Sequence, residues 1–414
     1  MKNSPDAHNP VTQRDVRFEV PMSLPEPDRF MRFGIGPSHP AVHGTVRIEA
    51  LLDHETFVDC DVEPGYLHRG FEKEAEAHPY IQVMPYTDRL NYVSPLVNNV
   101  AYAMAVEKLA GINVPERAEY IRVIVCEISR ITDHLTCLGP ASMELGAFSV
   151  FLYMVKAREY LWQLTEEICG ARMTTSYARF GGVAQDLPVN FGDAMPWIIG
   201  EIRKVVRDVD ILLTRNRIFQ DRMRGVGLLS VADLKSYAVT GPLLRAAGVA
   251  RDMRRDEPYS VYDRFEFDVV VGTTGDNYDR YMVRLEEILQ SCMILEQAMA
   301  QIPTGPILTD DRRFALPPKE EVYTNIESLM DHFKLVMHGV QPEKGEAYAA
   351  LESPNGELGF YLVSDGSGKP LKCRVRPPSF IHLATMRQQL IGSQLADMVP
   401  IMGQINMIGG ECDR

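Results

Sequence analysis

The densest run of reactive side chains is Gly36-Pro-Ser-His39-Pro-Ala-Val-His43-Gly44. Imidazoles exchange protons near neutral pH and bind metals. A four-residue spacing is that of a zinc-binding pair on one helix face. Here Pro40 pushes His39 out of helical geometry, Gly44 favours a turn, and no acidic residue stands in the HExxH position. The segment reads as a loop displaying two imidazoles, with a functional pair and two incidental loop histidines both open. Downstream, Pro85 to Val93 crowds Asp88, Arg89 and Tyr92 together. Read plainly, Asp88 and Arg89 are surface charges at a helix start, where ion pairs contribute little. Glu144 opens an apolar stretch expected to be helical. Its carboxylate either caps the positive helix end or is buried against a protonated partner.

Other chemistries are disfavoured. Gly34-Ile-Gly36 lacks the third glycine of a dinucleotide fingerprint, with His39 in its place. No phosphate-binding GxxxxGK[ST] run occurs. The seven cysteines are scattered and form no CxxC pair, which speaks against disulfides and against zinc or iron–sulfur ligation. They read as buried thiols in a reducing compartment. A net charge of −13 argues against nonspecific nucleic-acid binding and against docking on anionic lipid. The first 15 residues hold no apolar signal segment, and no 18-residue apolar run exists, so membrane contact is expected to go through partners.

The elements that must position these groups read as α+β. Residues 1–30 read as a disordered arm and 31–70 as a β region with the histidine loop. Within the latter, 45–62 alternates around a turn at Asp53–His54 and predicts two strands. Residues 71–340 read as a helical core. Pro115 starts a helix whose stripe is Ile121, Ile124, Ile128, Ile131, Leu135 and Leu138, with Gly139–Pro140 as its stop. A second helix is expected from about Met143 to Gly170, and others over 191–223, 275–301 and 320–338. Residues 341–414 read as an antiparallel meander and tail, with Asn355–Gly356 as a tight turn.

Together these segments resemble one family over nearly the whole chain. GPSHPAVHG (36–44), GYLHRGFEK (65–73), DRLNYVS (88–94), ARMTTSYARFGGVAQDLP (171–188), YLVSDGSGKPLKCRVRPPSF (361–380) and GECDR (410–414) carry the likeness. They are similar to the motifs of the quinone-site (D-type) core subunits of proton-pumping NADH:quinone oxidoreductase, respiratory complex I. The resemblance implies the fold of nickel–iron hydrogenase large subunits: an N-terminal sheet, a central helical bundle and a C-terminal meander. Hydrogenases hold nickel with two CxxC pairs, absent here, so no metal is expected on this chain. The vacated cavity would take a quinone headgroup. Electrons from NADH would arrive through an iron–sulfur cluster in a neighbouring subunit, and quinol formation would be coupled to proton translocation.

By resemblance, His43 and Tyr92 bind the headgroup carbonyls, with His39 and Gly44 in the pocket, and Glu144 pairs with His43. Arg69, Arg89 and Thr174 lie beside the partner's cluster. Three positions depart from the family: Glu144 and Asn406 stand where Asp is usual, and Thr174 where histidine is common. A non-ionising Thr174 implies a lower, pH-independent cluster potential and hence menaquinone as acceptor. The implied partners are the cluster-bearing B-type subunit, the C-type subunit, the membrane-embedded H-type subunit through which quinone enters, and the ferredoxin-like I-type subunit. The implied location is peripheral, on the cytoplasmic side of a bacterial inner membrane.

Overall fold

The computed structural model describes residues 29–40 and 44–414. Residues 1–28 of the expected N-terminal arm and His43 lie outside the described residues, and Phe30, expected in the arm, opens β1. Three antiparallel strands open the fold: β1 (Phe30–Ile35), β2 (Arg47–Asp53) and β3 (Thr56–Glu63), in that spatial order. The alternation in β2 buries Ile48, Ala50 and Leu52. A register shift at Leu51/Leu52 adds Leu51 to the buried set, as a bulge does.

The centre is helical. Its principal helices are α1 (Pro95–Ala110), α2 (Glu116–Glu144), α3 (Phe148–Cys169), α4 (Phe191–Val209) and α5 (Asn277–Gln301). The isoleucine–leucine stripe of α2 is buried against α3 and α5 in the largest core. Two boundaries differ from expectation. α2 runs through Gly139–Pro140 to Glu144, and α3 starts only at Phe148. Gly139 is small because α3 crosses there: an added Cβ would lie 3.4 Å from Phe151 and 3.6 Å from Met154. The corner is made instead at Gly146, at φ +90°, where glycine carries no steric penalty. The expected 191–223 helix passes through a π turn (Asp210–Thr214) and restarts at Arg217, capped by Asn216.

A short hairpin, β4 (Ala178–Arg179) with β5 (Gly182–Val183), follows α3. The meander is β6 (Gly345–Ser353), β7 (Gly356–Ser364) and β8 (Lys372–Arg376), and it packs on α1. Its turn is an interior one, since Asn355 is fully buried. The chain then returns to the N-terminal sheet. Helices α6 (Met398–Ile405) and α7 (Gly409–Asp413) place Met398, Ile401, Met402, Ile405 and Met407 in one core with Ile35, Val46 and Ile48. That return brings Gly44 to the tail.

Candidate functional site

Four of the predicted site residues, Gly44, Glu144, Arg69 and Arg89, lie against residues 403–413. A Cβ at Gly44 would stand 2.6 Å from the Met407 sulfur, so the end of the histidine loop rests on the tail. A Cβ at Gly403 would lie 3.8 Å from a Glu144 carboxylate oxygen. A Cβ at Gly410 would strike the Arg89 carbonyl at 2.4 Å and come within 3.3 Å of the Arg69 guanidinium. Asp413 accepts from the backbone N–H groups of Gly65 and Leu67 at 2.9 and 2.8 Å. Gly44, Glu144, Arg69 and Arg89 are thus brought together, while His39 lies exposed on the loop after β1.

Tyr92 sits on a turn before α1 and is 38% exposed. Its turn is held from below. Asn91 accepts from the N–H groups of Val93 and Ser94, and Asn98 donates to the Asn91 carbonyl. The Asn91 carboxamide donates to Asp133 on α2 at 2.9 Å. Partial burial, together with the nearby Asp133 carboxylate, raises the Tyr92 pKa, so the phenol keeps its proton as a hydrogen-bond donor.

Glu144 is at the C-terminal end of α2, not the start of a helix, so it does not cap a positive dipole end. Burial pushes its carboxyl up to about 7. The carbonyl end of α2 acts in the same direction. Near neutral pH the group sits between its two protonation states.

Asp88 is not a surface charge. It is fully buried, and accepts from Asn99 at 2.5 Å and from the Ser176 N–H at 3.0 Å. Burial lifts it to about 6. This bond ties the loop carrying the exposed Thr174 to the turn carrying Arg89. Arg69 donates to the Arg89 carbonyl, and Arg89 to that of Pro85. Both guanidinium groups are exposed and line a cleft of about 520 Å³ with Glu74 and Tyr86. Burial and the neighbouring Arg89 cation lower the Arg69 pKa.

Sequence reasoning missed Asp133 and Asn91, and read Asn355 only as a turn residue. The signal was present in α2, where Glu127, Arg130, Asp133 and His134 interleave with the apolar stripe and are themselves buried. His134 meets Glu287 at 2.9 Å, and Glu287 accepts from Arg245, which also donates to Glu352. An ionic interior therefore lies directly behind the site. Among the described residues no cluster of three His, Cys, Asp or Glu side chains is arranged to hold a metal.

Residues 144–414 match the family described as respiratory-chain NADH dehydrogenase, 49 Kd subunit. The chain is 53% identical over 397 residues to the NADH-quinone oxidoreductase D 1 subunit of Sorangium cellulosum, covering 95% of this chain and 98% of that protein. It belongs to the 49 Kd (D-type) subunit family. The D-type subunit of Myxococcus xanthus NADH-quinone oxidoreductase is 51% identical over 410 residues, covering 99% of each chain. A fused C/D subunit of the Bdellovibrio bacteriovorus NADH-quinone oxidoreductase is 48% identical over 387 residues, covering 94% of this chain and 69% of that protein. The α+β architecture described above is that of a D-type core subunit.

Proposed function

We propose that this D-type chain forms, with a cluster-bearing partner, the site where electrons from NADH reduce quinone to quinol, coupled to proton translocation. The observation that carries the reading is a partly exposed phenol on a braced turn. Tyr92 stands on a turn braced by buried hydrogen bonds, and the Arg89 and Leu90 carbonyls just before it meet the tail at Gly410, while Gly44 and Glu144 meet the tail at Met407 and Gly403. Reduction takes two electrons and two protons and places negative charge on both quinone oxygens. A donor fixed before charge develops stabilises it without reorganisation. In this reading Tyr92 donates to one carbonyl and His43 to the other, and both can release protons. His39 and Gly44 border the pocket, and Glu144 pairs with the His43 imidazolium. The cations Arg69 and Arg89 face the partner's cluster, where positive charge favours its reduced form.

The fused C/D relative supports a C-type neighbour. The B-type, H-type and I-type subunits are the further partners of this reading. Among the described residues no helix is long and apolar enough to cross a membrane. Attachment on the cytoplasmic side would then run through partners. Thr174 cannot ionise, so the reading extends to a low-potential cluster and to menaquinone.

The test is Tyr92→Phe in the assembled complex. Cluster reduction by NADH is expected to persist while quinone turnover falls by about 100-fold, the scale of a lost general acid. Undiminished turnover in an assembled complex overturns the reading.

A further inference from the structure

Behind the Tyr92 turn, one carboxylate bridges two segments far apart in sequence. Asp133 is 1% exposed. One of its oxygens accepts from Asn91 at 2.9 Å, and the other from Asn406 at 2.8 Å. Asn406 adopts the left-handed conformation at φ 51°, which asparagine tolerates better than most residues. Its amide nitrogen has two hydrogens, and both are used, on Asp133 and on the Asn355 oxygen at 2.7 Å. Arg284 donates to that same Asn355 oxygen at 3.2 Å.

This arrangement needs an amide at 406. An aspartate there would set carboxylate against carboxylate at hydrogen-bonding distance, which disfavours ionisation of both.

We propose that Asp133 is a positioning residue for Tyr92, acting through Asn91, and that Asp133 and Asn406 form a carboxylate–amide pair whose two partners can be exchanged. The inference rests on the reading of Tyr92 given above. Asp133 fixes the Asn91 side chain, Asn91 folds the turn, and the turn aims the phenol. Through Asn406 the same carboxylate locks the turn to the tail that meets Gly44 and Glu144.

Exchange predicts a specific rescue. Asp133→Asn places an amide against two amide donors, so one hydrogen bond is lost. Asn406→Asp creates the carboxylate clash. In Asp133→Asn/Asn406→Asp, the amide at 133 accepts from Asn91 and donates to the carboxylate at 406. The Asn355 amide nitrogen, buried without a hydrogen-bond partner, can turn to the same carboxylate only if the Asn355 oxygen gives up its bond from Arg284.

The experiment is quinone turnover by the assembled complex carrying each single substitution, the double substitution and, separately, Tyr92→Phe. Each single change is expected to lower kcat about tenfold, the effect of about 1.4 kcal/mol. The quinone KM should move less than about twofold and NADH-driven cluster reduction should be intact, since the pair aims a donor and does not form the pocket wall. The double change is expected to return kcat to within about twofold of the parent. A double variant that is no better than the worse single overturns the exchange. Undiminished kcat in Asp133→Asn overturns the positioning role. Should neither single variant assemble, the double decides alone: parental turnover supports the pair, while failure to assemble or low turnover overturns it. If Tyr92→Phe retains turnover, the quinone reading of Tyr92 fails. If Tyr92→Phe loses turnover and Asp133→Asn does not, the positioning inference alone fails.

Discussion

Arg122 and Glu107 meet as a two-pronged ion pair in the interior, Nη1 and Nη2 donating to the two carboxylate oxygens at 2.8 and 2.5 Å. Arg122 is fully buried and Glu107 nearly so. The pair joins α2 to α1. Arg122 also donates to the carbonyls of Arg179 and Gly182, and Glu107 accepts from the Gly181 N–H at 2.7 Å, so the β4–β5 hairpin is pinned as well. Arg122→Ala would leave a buried carboxylate without its cation. Such losses cost about 3–5 kcal/mol. The urea midpoint of the purified chain should fall accordingly, and a change under about 1 kcal/mol would show that the pair is not what pins the hairpin.

Glu411 supplies a pH-dependent contribution. It is fully buried and accepts from Ser379 at 2.5 Å, and burial pushes its carboxyl up to about 8. The ordinary value is 4.5. Because the folded state holds the proton more tightly, the contribution is complete below the ordinary value and is lost as pH rises through about 8. Glu411→Gln keeps the neutral shape at every pH. The melting temperature of the parent should therefore drop relative to that of Glu411→Gln between about pH 4.5 and about pH 8, and the two should run parallel below and above that window. Parallel curves over the whole range would contradict the buried proton.

Burial brings the Glu144 carboxyl to about 7. With its carboxyl at about 7, a change in the charge of His43 would shift its protonation. Glu144→Gln should slow quinone turnover about tenfold or more while NADH still reduces the cluster, on the scale of general acid–base effects. The limb of the pH–rate profile near 7 should flatten in the variant. Loss of cluster reduction as well would point to failed assembly and leave the pairing with no support.

Thr174 sets a different signature. Its hydroxyl offers only a neutral hydrogen bond. The neighbouring cluster should show a potential nearly independent of pH around neutrality, and Thr174→His should introduce a downward slope with rising pH as the imidazole loses its proton. Redox titration of the assembled complex at about pH 6 and about pH 8, on either side of an ordinary imidazole, distinguishes the two. A clear slope in the parent would defeat the Thr174 argument, and a native quinone pool of ubiquinone alone would defeat the menaquinone corollary.

The legible parts of this fold are those with local signals. The alternation of 45–62, the Asn355–Gly356 turn and the apolar stripe of α2 each lie within one or two elements, and the structure has all three. What cannot be read is where charges go. Arg122, Arg130, Arg245, Arg254, Arg280 and Arg284 are all fully or almost fully buried. The partners that make this tolerable are remote in the chain: Arg245 and Glu352 are 107 residues apart, Glu127 and Arg254 are 127 apart. No spacing rule reports such a pairing, and so Asp88 reads as a surface charge and Asp133 attracts no notice. Gly139–Pro140 misleads for a related reason. Glycine there serves a helix crossing, which only the packed partner reveals.

The bond between Asp413 and the Gly65 N–H spans 348 residues of chain. Contacts of that range form slowly, because a long loop must close before they reward it. The bundle of α2, α3 and α5 relies on much more local meetings and can mature first. The contacts that complete the site are therefore expected to form late in folding. Ribosomal synthesis delivers α7 after every surface it must join, so a chain can be mostly native and still lack a place for its reaction. Quality control by partner subunits, if they grip the Arg69–Arg89 face, would then admit only chains in which α7 has already docked.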